Sequence, residues 1–166
     1  MRTVPPTEKG KYRAIASGAI ANGKPVVVNS AGTVSVVSGA AQSLGSESEF
    51  TTSAANYVNI VHDSSNNKNV VIYRNGTTQK GEARVGTVSG TSISYGTVVE
   101  FEQGNTEHIA ATFDSNSNKV VIAYRDGGDS NYGKAIVGTV SGTDISFGSP
   151  VTFESAHAAY MSATFD

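Results

Sequence analysis

Gly86-Thr87-Val88-Ser89-Gly90-Thr91 returns without change at residues 138–143, and the fold is read outward from that recurrence. The following Ser94-Tyr95-Gly96-Thr97-Val98-Val99-Glu100-Phe101 comes back as Ser146-Phe147-Gly148-Ser149-Pro150-Val151-Thr152-Phe153. An earlier form reads Ser43-Leu44-Gly45-Ser46-Glu47-Ser48-Glu49-Phe50. Phe50, Phe101 and Phe153 are therefore 51 and then 52 residues apart, a period of the size that marks repeat architectures.

Turn signals cut each unit into four short segments, which in the second copy are residues 108–114, 119–125, 134–141 and 145–153. Asp114-Ser115-Asn116-Ser117-Asn118, Arg125-Asp126-Gly127-Gly128 and Ser141-Gly142-Thr143 separate them, with the residue types that tight turns demand. The second segment is an almost unbroken apolar run, as a strand covered on both faces requires. The fourth alternates in the manner of a half-exposed edge. Four antiparallel strands in about 50 residues, repeated in tandem, predict β-propeller blades. A β-solenoid is the second choice, since its coils are usually shorter.

Residues 1–40 lie outside the period. Asn22-Gly23 and Ala31-Gly32 flank predicted strands at 25–29 and 33–37, so this part is expected to be a short β meander behind an arm at residues 1–10. The whole is expected to be all-β, with the meander at 1–40 and a partial propeller of blade-like repeats at 41–166. Ala163-Thr164-Phe165-Asp166 repeats Ala111-Thr112-Phe113-Asp114. The third copy thus stops after its first strand, and the chain is expected to be part of a longer one or completed by a copy of itself.

Composition narrows the chemistry. Charged residues are 16% of 166, the net charge is −2, and neither cysteine nor tryptophan occurs. Clustered Lys and Arg, which phosphate neutralisation needs, are missing, so nucleic acid is not an expected partner. No run of about 18 apolar residues predicts a membrane span, and residues 1–30 lack the order of a signal peptide. Disulfides, thiolate zinc and a cysteine nucleophile are excluded.

Five constellations invite a chemical reading. Asp63-Ser64-Ser65-Asn66-Asn67 and Asp114-Ser115-Asn116-Ser117-Asn118 alternate oxygen ligands like calcium loops, but they lack the central Gly and closing Glu, so structural turns are expected and no metal. Arg74 and Arg125 close equivalent second strands, where a guanidinium clamps a ligand carboxylate or pairs with Asp63 and Asp114 of the neighbouring strand. Recurrence favours the ion pair. His108 falls in register with Tyr57 and Tyr160, and His62 with Phe113 and Phe165, which suits packing better than catalysis. Glu47, Glu49, Glu100, Glu102 and Glu154 gather on the fourth strand as a solvated edge, not as a glycosidase pair. Tyr95, Phe101, Phe147 and Phe153 are expected between neighbouring blades. No catalytic residue and no cofactor are expected.

The internal copies carry one functional signal. The turn after the first strand and the turn after the third barely change between copies, whereas residues 75–81 differ from 126–133, and 103–108 from 155–160. Alternate turns of an up-and-down sheet emerge on one side, so the variation gathers on one rim, as recognition requires. The predicted binding residues are Asn105, His108, Asp126, Asp129, Asn131, Tyr132 and His157.

The wording of the units, Asn118-Lys119-Val120-Val121-Ile122-Ala123-Tyr124-Arg125-Asp126, then residues 138–143 and Ser146-Phe147-Gly148-Ser149, resembles tandem repeats in tail-fibre and other virion surface proteins of tailed phages of aquatic bacteria. The likeness spans residues 43–166. Residues 16–34 look like the segment that precedes such repeats. The resemblance implies a non-enzymatic virion structural protein, assembled in the host cytoplasm, with its N-terminal part on the particle. It also implies blades presented to other virion proteins or a host-surface glycan, with no nucleic-acid partner and no membrane insertion. The alternative is a lectin-like glycan-binding module completed by homo-oligomerisation.

Overall fold

The computed structural model describes residues 15–37 and 44–166. The expected arm at residues 1–10 lies outside them. Among the described residues every regular element is a strand, none is a helix long and apolar enough to cross a membrane, and the strands form three open sheets. The chain divides into two units, Met1–Ser43 and Leu44–Asp166.

In the first unit β2 (Val26–Val28) and β3 (Thr33–Val36) form the hairpin that the Gly-containing turn predicts. Gly32 takes a φ of 76°, and Asn29 N–H donates to Thr33 O at 2.8 Å. β1 (Ile15–Ala16) departs from a meander, because it pairs in parallel with β3 and not with β2.

The second unit holds two sheets of identical plan. The first contains β4 (Ala55–Asp63), β5 (Lys68–Asn75), β6 (Gly81–Ser89), β7 (Ser92–Tyr95) and β8 (Val99–Glu102). The second contains β9 (Thr106–Asp114), β10 (Lys119–Asp126), β11 (Tyr132–Ser141), β12 (Asp144–Phe147) and β13 (Val151–Glu154). Each runs antiparallel in chain order. The predicted fourth strand is in fact two, β7 with β8 and β12 with β13, both along the same edge of β6 or β11. Tyr95 stands opposite Gly86 and Val99 opposite Ala83, so four steps on one strand face three on the other. One extra residue breaks the ladder. Pro150 is not the cause, since the first copy breaks at the same place with Thr97 and Val98.

The turns after β4 and β9 are built by their leading aspartates. Asp63 Oδ1 accepts from Ser65 N–H at 3.0 Å and Asn66 N–H at 2.9 Å, and Asp114 Oδ1 accepts from Asn116 N–H at 2.9 Å and Ser117 N–H at 3.0 Å. These bonds hold the Asp114 carboxyl below the usual carboxylate range. The calcium-like spacing is thus the grammar of a side-chain-capped turn.

Period-two alternation puts Val70, Ile72, Ala83 and Val85 of the first sheet on the face that meets Val120, Ile122, Tyr124 and Ile136 of the second, and these join one buried cluster. Phe101, at the end of β8, sits 5.3 Å from Tyr124 and 5.7 Å from Phe147. Phe50 makes the corresponding approach to Tyr73, at 5.2 Å, and Tyr95, at 6.2 Å. Tyr95, Phe101 and Phe147 thus take part in contacts from one unit to the next, as expected of them, whereas Phe153, also expected between units, is more than half exposed and lies against Gly133 of its own sheet. Backbone approach also ties one unit to the next. A Cβ on Gly45 would lie 1.6 Å from Thr91 O, and one on Gly96 would lie 1.8 Å from Thr143 O, so only glycine fits where the repeated Ser-x-Gly motif meets the following turn.

Candidate functional site

The connection between β8 and β9 and the turn between β10 and β11 lie side by side, with Gly127 N–H donating to Asn105 O at 2.7 Å. The turn after β5 joins them through Thr106 N–H to Gln79 O at 3.0 Å. The copy-variable turns thus share one rim.

At that rim each first strand carries a bulge. Asn56 is opposite Arg74 and Asn59 opposite Ile72, and likewise Glu107 is opposite Arg125 and Ala110 opposite Ala123. The extra turn of backbone falls on Tyr57, with φ 50°, and on His108, with φ 49°, and Tyr160 in the third copy has φ 53°. Left-handed backbone at an aromatic or imidazole side chain is uncommon and costs on the order of 1–2 kcal/mol. Its recurrence in three copies marks a built feature. The three rings form a ladder, with His108 5.4 Å from Tyr57 and 5.0 Å from Tyr160. Tyr160, 90% exposed, ends it.

Two guanidiniums flank the ladder. Arg74 lies 5.0 Å from the Tyr57 ring centroid and donates from Nη1 to Asn105 Oδ1 at 3.1 Å and Glu107 Oε1 at 3.4 Å. Arg125 donates to Glu107 Oε2 and, at 3.0 Å, to His157 Nε2, a bond that needs the proton of neutral His157 on Nδ1. Asn105 and His157 are equivalent positions, so one contact recurs with two chemistries. Neither arginine reaches the aspartate expected of it. Residues 63 and 114 lie at the far end of the strand, and Glu107, in direct register with Arg125, takes both cations. The Arg125 hydrogen bond, then its charge, hold the Glu107 carboxyl below the usual range. Arg74 Nε and Arg125 Nε are buried without partners.

The remaining predicted rim residues are placed as follows. Asp126 is buried and turned inward, its Oδ1 accepting from Gly128 N–H at 2.9 Å and Asp129 N–H at 3.1 Å, its Oδ2 meeting Lys134 Nζ at 2.6 Å. Asp129 also reaches Lys134, at 2.8 Å, but its side chain stays half exposed. These carboxylates push the Lys134 ammonium up from its ordinary value. Asn131, φ 63°, offers its carbonyl to Ala158 N–H at 3.0 Å, and Tyr132 opens β11. Of the edge glutamates, Glu100 pairs with Lys80 at 3.0 Å, and Glu102 accepts from Tyr124 Oη at 2.9 Å.

Repeat register singled out Tyr57 and Tyr160 but gave them packing roles. A bulge has no residue-type signature in these strands, so their display at the rim was not legible. Among the described residues no group of three or more His, Asp or Glu is placed to hold a metal ion. Comparison with protein-family models, curated proteins and solved structures gives no match.

Proposed function

We propose that this chain is a non-enzymatic virion structural protein, a tail-fibre or surface-appendage segment whose stacked sheets are blades presenting one rim to a host surface or another virion protein. The observation that carries this reading is the Tyr57, His108 and Tyr160 ladder, a ring position with left-handed backbone in three copies, bulged in the two that form strands, beside turns that vary. Bulges commonly re-aim side chains at functional edges, and arginine beside aromatic rings is the composition that recognition surfaces favour. The blade reading draws on two features: successive sheets stack face to face, with β4 beside β9, and no strand of one sheet pairs with a strand of the other. Coils of a β-solenoid would pair from unit to unit.

The test is protein mass spectrometry of purified particles, followed by binding of the full chain to host cells. Peptides of this chain on the particle, and binding lost in a combined Tyr57→Ala, His108→Ala, Tyr160→Ala variant that still folds, are expected. Peptides found in host cytosol and absent from particles would overturn the virion assignment. The ladder also favours a second reading, a lectin-like module completed by oligomerisation, because aromatic faces stack on sugar rings. A glycan array without hits for the assembled protein counts against it.

A further inference from the structure

Away from the aromatic ladder, the opposite face of the first sheet carries a cavity of about 270 Å³ beneath residues 49–53. Tyr73, Glu82 and Arg84 reach this face because they alternate along β5 and β6 with Ile72, Ala83 and Val85, which point into the core. Glu49, Thr51 and Asn75 complete the polar lining.

The two copies differ here in a way that leaves the first unfinished. In the second copy Tyr124 Oη donates to Glu102, and the Lys134 ammonium sits between Asp126 and Asp129, at 2.6 and 2.8 Å. Tyr124 with Glu102, and Lys134 with Asp126 and Asp129, are thus partnered within the second copy. In the first copy Thr51 stands at the position of Glu102, and the Tyr73 hydroxyl, on a side chain with no exposed area, makes no hydrogen bond of normal geometry, with Thr51 and Glu82 as its polar neighbours. Burial and neighbouring Glu82 push that hydroxyl up to about 12, so it keeps its proton.

Glu82 stands at the position of Lys134, and Asn75 at that of Asp126. The Glu82 carboxylate, 6% exposed, accepts from Asn75 Nδ2 at 2.9 Å, and among the described residues no cation pairs with it. Arg84 is engaged elsewhere, donating from Nε to Gly96 O at 2.9 Å and from Nη1 to Phe50 O at 2.7 Å. The first copy thus lacks the ammonium that the second supplies to itself. A buried carboxylate without a counter-cation and a buried hydroxyl without a partner each cost free energy that a donor-bearing ligand returns.

We propose that this cavity binds an amino sugar with a free, protonated amine, its ammonium donating to Glu82 and to Tyr73 Oη, with Glu49 at the mouth. The lining favours a sugar over a lysine side chain: Thr51, Thr52 and Ser53 are among the lining residues and Val98 is the one aliphatic member, which suits a ring of hydroxyls and not a chain of methylenes. The site is separate from the rim and does not rest on the virion reading.

The experiment is a titration of the full chain with D-glucosamine, followed by amide chemical shifts, beside N-acetylglucosamine, glucose and lysine amide. Saturable shifts around residues 51, 73 and 82 with glucosamine, and none with the two neutral sugars, are expected. Glu82→Gln should weaken binding roughly ten- to a hundredfold, as loss of a charge-assisted hydrogen bond does. Glu49→Gln, at an exposed position that cannot unfold the chain, should weaken it less. A Tyr57→Ala rim variant should bind glucosamine normally, which separates failure of this site from failure of the rim. No saturable shift, equal binding of N-acetylglucosamine, tighter binding of lysine amide, or undiminished binding by a folded Glu82→Gln variant would overturn the proposal.

Discussion

Removing the Phe101 ring tests whether the repeats are held together by the stacking described. Phe101 is 7% exposed and packs between Tyr124 and Phe147 of the following sheet, whereas Phe153, its counterpart one unit later, is 56% exposed. The same residue at the same repeat position thus provides its own control. For Phe101→Ala, transfer of the ring to water costs about 2–3 kcal/mol. The void left between two sheets adds to that, for a total of about 3–5 kcal/mol. Phe153→Ala removes a ring that keeps more than half its area in solvent and leaves no enclosed void, so about 1 kcal/mol is expected on the same area basis. Urea unfolding of each variant reads the difference as a shift in midpoint at unchanged slope. The melting temperature of Phe101→Ala should fall by about 6–20 °C at roughly 2–4 °C per kcal/mol. Equal losses for the two variants would refute the stacking argument, because position in the repeat, and not contact with the next sheet, would then set the cost.

Three further outcomes follow from the geometry. Gly96→Ala should destabilise the chain by about 2 kcal/mol or more, since its Cβ would meet Thr143 O at 1.8 Å, while Gly148→Ala, whose nearest atom is 3.9 Å away, should stay within about 0.5 kcal/mol of the parent in the same unfolding assay. At position 108 glycine should be more stable than alanine by about 1 kcal/mol, the reverse of the ordinary strand order, because φ is 49°. A calorimetric comparison of His108→Gly with His108→Ala checks it. Glu107 titrates below its ordinary 4.5 in the folded chain, so the unfolded chain takes up the proton first. The stability it contributes is complete above about pH 4.5 and is lost as pH falls through its lower folded value. Urea midpoints measured across pH 2–7 should show parent and Glu107→Gln converging at the acid end, and a constant gap would exclude the ion pairs with Arg74 and Arg125 as its source.

The repeat, the first three strands of each unit and the stacking aromatics are written in the residues themselves, because a two-residue side-chain period and turn-forming Asp, Asn and Gly are local properties of the chain. The variable rim was legible too, from comparison of the internal copies. The bulges at Tyr57 and His108, the break in each fourth strand and the parallel pairing of β1 with β3 are set by which backbone groups face one another across strands, and no single residue announces that register. The partners of Arg74 and Arg125 changed for the same reason: sequence recurrence offered aspartates at 63 and 114, but strand direction puts them at the opposite end and brings Glu107 into register with Arg125. The unfinished chemistry around Tyr73 and Glu82 needed both levels. The substitutions of Thr51 for Glu102 and Glu82 for Lys134 stand in the sequence, but only tertiary packing buries the groups whose partners those changes remove, and it is burial that gives a missing hydrogen bond its cost.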